Sequence, residues 1–305
     1  MTAAASGNSE LQQRIAERLG ATVAPEVANF GAMLGREADA CAVLFYGSNL
    51  RTGSLDGVLD FYVLLPGAQK ERIWPRIGYR EWTAGETMLR AKIAVMSLEK
   101  FAAACRGETR DTTIWARFVQ PSALVWSRDA TATESVENAL TDAAVTAGEL
   151  AAALGPDSGT AEVFWQSLFE ATYRAEFRVE KQARAGSIVE ANRAHFAGLL
   201  PLAWAAGGIA FEDCGKGLLR PRLPADRRSR VLRWWNARRR LGKPLNLLRL
   251  AKASTTFEGA ADYAAWKIER HTGTRLEVTP FRRKYPLLAA PSVLFALWRI
   301  KRERR

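Results

Sequence analysis

Apolar positions along this chain recur with two periods, and the switches between them mark out the elements. Leu11, Ile15 and Leu19 return every four residues behind Ser9, a good N-cap, so a helix is predicted from Ser9 to about Leu34. Val43, Leu44, Phe45 and Tyr46 then form an apolar strand, followed by a Gly47-Ser48 turn, a polar loop and a second strand from Val58 to Leu65 that Pro66-Gly67 closes. A helix or irregular stretch follows, and after Thr87 the run MLRAKIAVM alternates as a third strand. Ser97-Leu98-Glu99 reads as a helix start leading into LEKFAAAC, another helix or turn lies around Thr112 to Arg117, and SALVWS is extended.

From Ala130 the pattern turns helical. TESVENALTDAAVTAGELAAALG ends at Gly155-Pro156, EVFWQSLFEATYRAEFRVEK is a second helix and SIVEANRAHFAGLLPLAW a third. An α/β front domain (1–130) therefore precedes a mainly helical domain (131–280) and a basic amphipathic tail (281–305). Within the back half, RRSRVLRWWNARRRLGKPLNLLRLAKAS is a basic segment with Trp234 and Trp235 interleaved. The tail is an apolar run containing Pro291 between basic flanks.

Charge sharpens this division. Gly215 to Arg305 carries 24 Lys and Arg against 6 Asp and Glu, a net of +18, whereas the preceding 214 residues sum to −6. A basic rear on an acidic front implies a polyanionic partner, an anionic membrane surface or a nucleic acid. The tail fits an interfacial helix, apolar side in the acyl boundary and basic residues at the phosphates; a core helix with a solvated basic end is the other reading. No apolar run is long enough for a transmembrane helix, and the N-terminus lacks a secretory signal pattern. Cys41, Cys105 and Cys214 are few and far apart, which suggests reduced thiols and no zinc site, and two histidines rule out a histidine-rich metal site.

The chemistry concentrates between Val43 and Leu65. Asp60 is a carboxylate in an otherwise apolar strand, a costly placement unless it is paired or bound to a metal. A strand, a Gly-Ser turn and a strand-borne Asp resembles the nucleotidyltransferase superfamily, in which the turn holds a nucleoside triphosphate and the Asp holds Mg²⁺. Ordinary turn and edge roles for Asp56 and Asp60 are the alternative.

Further segments, in order, make the chain resemble the soluble-type phosphatidate cytidylyltransferases, the mitochondrial translocator-assembly-and-maintenance family and its bacterial relatives. They are Tyr46-Gly47-Ser48-Asn49, Leu59-Asp60-Phe61, Lys92-Ile93-Ala94-Val95-Met96-Ser97-Leu98-Glu99, Trp115-Ala116-Arg117-Phe118-Val119-Gln120-Pro121 and Thr172-Tyr173-Arg174-Ala175-Glu176-Phe177-Arg178-Val179. The chain departs from the family pattern at Asn49 and Ala94 (Gly in the family), Gln120 (Lys) and Glu176 (Asp). The resemblance implies an α+β fold: a nucleotidyltransferase-type mixed sheet with flanking helices, then a mainly helical, winged-helix-like domain. It implies transfer of CMP from CTP to phosphatidic acid, making CDP-diacylglycerol and pyrophosphate with Mg²⁺. The reduced thiols and the basic rear lead to the expectation of a cytoplasmic protein peripheral on the inner face of the cell membrane.

On that reading Asp60 is the Mg²⁺ ligand with Asp56 second, and Glu99 or Glu176 is a candidate for a further carboxylate. Asp60, Lys92 and Arg117 are catalytic, and Gly47, Ser48, Tyr173, Glu176 and Arg178 bind the nucleotide. Lys92 has an alternative as an edge-strand lysine facing solvent, and Glu176 with Arg178 as a local surface pair. Two rival functions remain at this stage: transfer to a different small-molecule or RNA acceptor, with Trp234 and Trp235 stacking on bases, and a catalytically degenerate membrane- or RNA-binding adaptor.

Overall fold

The computed structural model describes residues 2–111, 113–175 and 184–256 and positions 259, 265, 266 and 279. The expectations for Glu176, Arg178 and the 281–305 tail lie outside these residues.

The chain opens with two helices, α1 (Thr2–Leu19) and α2 (Pro25–Glu37), where the four-residue step predicts one. Pro25 is the cause. It sits in the first turn of α2 and leaves Ala24 extended, φ −57° and ψ 140°, so the helix restarts there. Strands β1 (Ala42–Tyr46) and β2 (Leu59–Leu65) follow, joined through a short helix α3 (Ser48–Thr52). The stretch after Pro66 delivers a strand that alternation had not predicted, β3 (Arg76–Ala84), which forms a hairpin with β4 (Thr87–Ser97). β3 is an edge strand, and its Arg80 and Glu81 face solvent, which erases the apolar signal.

Helices α4 (Leu98–Cys105) and α5 (Thr113–Phe118), strand β5 (Ser122–Ser127) and the long helix α6 (Ala130–Leu154) come next. Ser97 caps α4, its hydroxyl accepting from the Lys100 N–H at 3.2 Å. The sheet runs β3-β4-β2-β1-β5 and is mixed: β2 and β4 are parallel, the other pairs antiparallel. The architecture is α+β.

Alternation splits the sheet's side chains between two layers. Val43, Phe45, Phe61, Val63 and Ala91 face α2, whereas Leu44, Tyr62, Leu64, Ala94 and Met96 join a larger core with α1, α4, α5 and α6. That larger core continues across residue 130 without a break, from Leu11 and Phe101 through Val136 to Trp165, Trp204 and Trp235. The buried side of α6 is mostly alanine, which lets α1, α4, α5 and later helices approach it closely.

The remaining elements are β6 (Gly159–Thr160), α7 (Ala161–Ala175), α8 (Arg184–Ala191), α9 (Arg193–Phe196), α10 (Leu199–Ala206), β7 (Ala210–Asp213), β8 (Leu218–Arg222) and α11 (Ala225–Thr256). The predicted third helix is thus three short ones, interrupted at Asn192 and at Gly198, whose φ of 72° no helix interior accepts. β6, β8 and β7 form a second, antiparallel sheet in that order.

α11 is bound to the α4–α5 loop. Trp234 Nε1 donates to Gly107 O at 3.0 Å, and Arg238 donates to Thr109 O at 2.9 Å and to Gly107 O while lying 4.0 Å over the Trp234 ring. Among the described residues no helix is long and apolar enough to cross a membrane.

Candidate functional site

Strand register assembles a row of side chains across the sheet. Tyr79 on β3 pairs with Lys92 on β4, Lys92 with Asp60 on β2, Asp60 with Tyr46 on β1, and Tyr46 with Ser122 on β5. Adjacent strands lie about 4.8 Å apart, so Asp60 has Lys92 on one side and Tyr46 on the other. β4 is an interior strand, with β3 beyond it, so Lys92 is not the solvent-facing edge lysine that was the alternative reading.

Gly47 turns the chain at the end of β1 with φ 93° and ψ −165°, a region open to glycine and hardly to any other residue. A Cβ there would lie 3.1 Å from Asp60 Oδ2, so the carboxylate faces the bare backbone of the bend at close range. Asp60 is half-buried. Burial pushes its carboxyl above the usual aspartate range, against the pull of the Lys92 ammonium and the Arg117 guanidinium.

Arg117 comes from α5. Its guanidinium lies 5.4 Å over the ring of Tyr46, which packs at 5.7 Å against both Tyr62 and Phe118. Burial raises both tyrosine hydroxyls above their ordinary range, with Arg117 opposing. The hydroxyl of Ser122 is buried without a hydrogen bond to a described residue. Such an orphaned group calls for a water or ligand atom.

What fixes α5, and Arg117 with it, was not foreseen. Asp111, 4% exposed, accepts from the Thr113 N–H at 3.0 Å and from its hydroxyl at 2.8 Å, capping the helix. Arg249 on α11 closes on the same carboxylate at 2.9 Å, donates to Trp74 O at 3.0 Å and lies 5.2 Å over the Trp74 ring. The Asp-x-Thr spacing is a capping signal visible in the sequence, but the partner Arg249 is 138 residues away.

The loop from α3 to β2 is ordered by Asn49, which stands where the resembled family has glycine. Its amide donates to Ser54 O and Asp56 O, both at 2.8 Å. Ser48 is exposed at the start of α3, its hydroxyl 3.4 Å from Asn49 Oδ1, and Asp56 is exposed on the loop.

No protein-family model and no curated protein matches this chain.

The structure thus brings together Gly47, Asp60, Lys92 and Arg117, with Ser48 at the bend and Asp56 on the adjoining loop. Tyr173 is half-buried near the end of α7, in a layer formed with α6, α8 and α11; Glu176 and Arg178 beyond it lie outside the described residues. Glu99 is a correction. It follows the far end of β4, and Lys92 to Ser97 alone spans about 17 Å of extended strand, so it cannot share an ion with Asp60. Among the described residues, no group of three or more His, Cys, Asp or Glu side chains is arranged to hold a metal ion. A cleft of about 210 Å³ lies at the opposite end of β2 and β4, lined by Asp39, Gln69, Lys70, Glu71 and Ser97 among others, away from the Asp60 row.

The chemical character of the row is a single carboxylate against a bare backbone bend, flanked by two cations. Lys92 offers a point charge and Arg117 a planar fork suited to phosphate oxygens.

Proposed function

We propose that the chain is a nucleotidyltransferase, moving CMP from CTP to phosphatidic acid to form CDP-diacylglycerol and pyrophosphate at an anionic membrane surface on the cytoplasmic side. The observation that carries this reading is the placement of Asp60 facing the Gly47 bend, with the Lys92 and Arg117 charges acting on the same carboxylate. Supporting it, the antiparallel β1–β2 pair sets the bend at the end of β1 beside the acid on β2, in the order strand, Gly-Ser turn, strand-borne Asp of the resembled superfamily. The helix α6, strand β6, helices α7–α10 and hairpin β7–β8, closing a three-stranded sheet, are compatible with a winged-helix-like unit.

In the proposed reaction a phosphate oxygen of the lipid forms a bond to the α-phosphorus of CTP as the bond to the β-phosphate oxygen breaks. The pyrophosphate takes that electron pair. Negative charge grows on the non-bridging and leaving oxygens, so cations at fixed positions accelerate the step more than proton transfer does. Lys92 and Arg117 supply them, Arg117 held over Tyr46 and through capped α5. Gly47 admits a phosphate close to the backbone, and the Ser48 hydroxyl donates to it.

The donor set fits Mg²⁺ that arrives on the triphosphate, since this ion is commonly held by one or two carboxylates plus substrate phosphates. Asp60 would hold it, with Asp56 as the second carboxylate. When bound, the ion adds charge neutralisation at the phosphates.

The presence of one acid on the row favours a second reading, a degenerate nucleotidyltransferase fold acting as a membrane adaptor. The RNA-acceptor alternative loses its aromatic component: Trp235 is 2% exposed beneath Trp115, and Trp234 is bonded to the α4–α5 loop. The deciding experiment supplies CTP, ATP, GTP or UTP with Mg²⁺ and phosphatidic acid vesicles and measures pyrophosphate. Release with CTP by wild type, abolished in Asp60→Ala, supports transfer to the lipid; no release with any nucleotide favours the adaptor.

A further inference from the structure

We propose that the outward face of α11, from Arg233 to Leu248, is a docking surface for an anionic phospholipid bilayer. The helix has two unlike sides. Val231, Trp235, Arg238 and Gly242 turn inward, and Gly242 lies so close to the Ala175 carbonyl that a side chain would collide with it. On the opposite side Arg233, Asn236, Arg240, Lys243 and Leu247 recur every three or four residues and are all exposed.

Among the described residues, the charges on this outward side differ from those at the start of the helix. In the first turns of α11, Arg227, Arg228 and Arg230 pair with Glu149, Asp157 and Asp226. Further along, Arg233, Arg240 and Lys243 make no ion pair with a described residue, and no acid occurs in the sequence from Arg227 to Phe257.

Beside those cations the exposed apolar groups are aliphatic. Leu247 is 66% and Leu248 53% exposed, the two most exposed large apolar side chains among the described residues. Cations next to solvent-facing leucines suit phosphate head groups above acyl chains. A single-stranded nucleic acid would draw on the aromatic groups of this segment as stacking platforms, whereas Trp235 is buried and Trp234 is half-buried with its Nε1 bonded to Gly107 O. The face extends about 22 Å along the helix, enough for several head groups.

The proposal requires no nucleotide, so it is tested apart from the transfer reaction, by flotation of the full chain with phosphatidylcholine vesicles with and without phosphatidylglycerol. Wild type is expected to float only with the anionic vesicles, less so at high salt. Arg233→Gln, Arg240→Gln and Lys243→Gln together are expected to reduce partitioning on the order of 100-fold, about fivefold per cation. Leu247→Ser with Leu248→Ser is expected to reduce it about tenfold and leave the salt dependence unchanged. All five positions are exposed, so unfolding curves should overlay wild type. The proposal is overturned if wild type ignores phosphatidylglycerol, if both variants float like wild type, or if an oligonucleotide displaces the vesicles by binding through the same residues.

Discussion

Removing Arg249 should unsettle the site through α5, although Arg249 belongs to another layer of the fold. Its guanidinium meets Asp111 at 2.9 Å, where the carboxylate is 4% and the arginine side chain 20% exposed. Burial pushes the Asp111 carboxyl up, but the Arg249 charge and the Thr113 hydrogen bonds outweigh it and hold the carboxyl below its usual range. Arg249→Met leaves a buried anion with only Thr113 to satisfy it, a loss of about 3 kcal/mol. Asp111→Asn still accepts from Thr113, and Arg249 still donates to Trp74 O, so the loss is smaller, about 1.5 kcal/mol. The double variant buries neither charge and should lose only about 2 kcal/mol, leaving a coupling near 2.5 kcal/mol.

Urea unfolding at neutral pH measures all four proteins. Because the folded carboxyl titrates below its unfolded value, the pair's contribution is present above about pH 4 and disappears as pH falls through the folded pKa. The gap between wild type and Arg249→Met should narrow there. Arg117 rides on the same helix, so nucleotide affinity should weaken in step. Single effects that add to within about 0.5 kcal/mol would refute the claim that Asp111 and Arg249 act as a pair.

Gly47→Ala should cost about 1–3 kcal/mol of stability, because alanine is strained at φ 93°, and should also weaken the nucleotide response, because the added Cβ crowds Asp60 Oδ2. Gly53→Ala is the control: its φ of 67° is also left-handed, but an added Cβ meets nothing within 4 Å, so stability should fall while nucleotide binding persists. Burial lowers His195 to about 4, with Arg18 and Arg14 adding to it against the 2.9 Å bond to Val119 O. The unfolded imidazole takes up a proton near pH 6.5 where the folded one does not. Stability should therefore be complete above that pH and decline towards pH 4 by up to about 3 kcal/mol, a slope that unfolding curves of His195→Gln should lack.

Local pattern made much of the sheet legible. β1, β2, β4 and β5 were visible as apolar runs, and Ser97 announced α4 because capping is a local event. What escaped depended on tertiary context. β3 was hidden by the charges of an edge strand, the β7–β8 hairpin by its polarity and shortness, and the α1–α2 break by a regular apolar spacing that Pro25 overrides.

The site divides in the same way. Asp60 stood out as an acid in an apolar strand, but the Lys92 and Tyr46 beside it follow only from register. Arg249, whose bond positions the helix carrying Arg117, belongs to a segment that reads as a basic polyanion-binding stretch. Trp234 and Trp235, interleaved with arginines, read as a base-stacking surface, but the helix buries Trp235 and sets the half-buried Trp234 against the α4–α5 loop.

The central claim is that the acid at position 60 engages a metal-bound triphosphate against the glycine bend. Calorimetric titration of CTP with and without Mg²⁺ tests it most directly, using wild type and Asp60→Asn. The account expects Mg²⁺-dependent binding by wild type and at least a tenfold loss, about 1.4 kcal/mol, in the variant, which should fold at least as well because it sheds a desolvated charge. Equal affinity and equal Mg²⁺ dependence in the two proteins would contradict it.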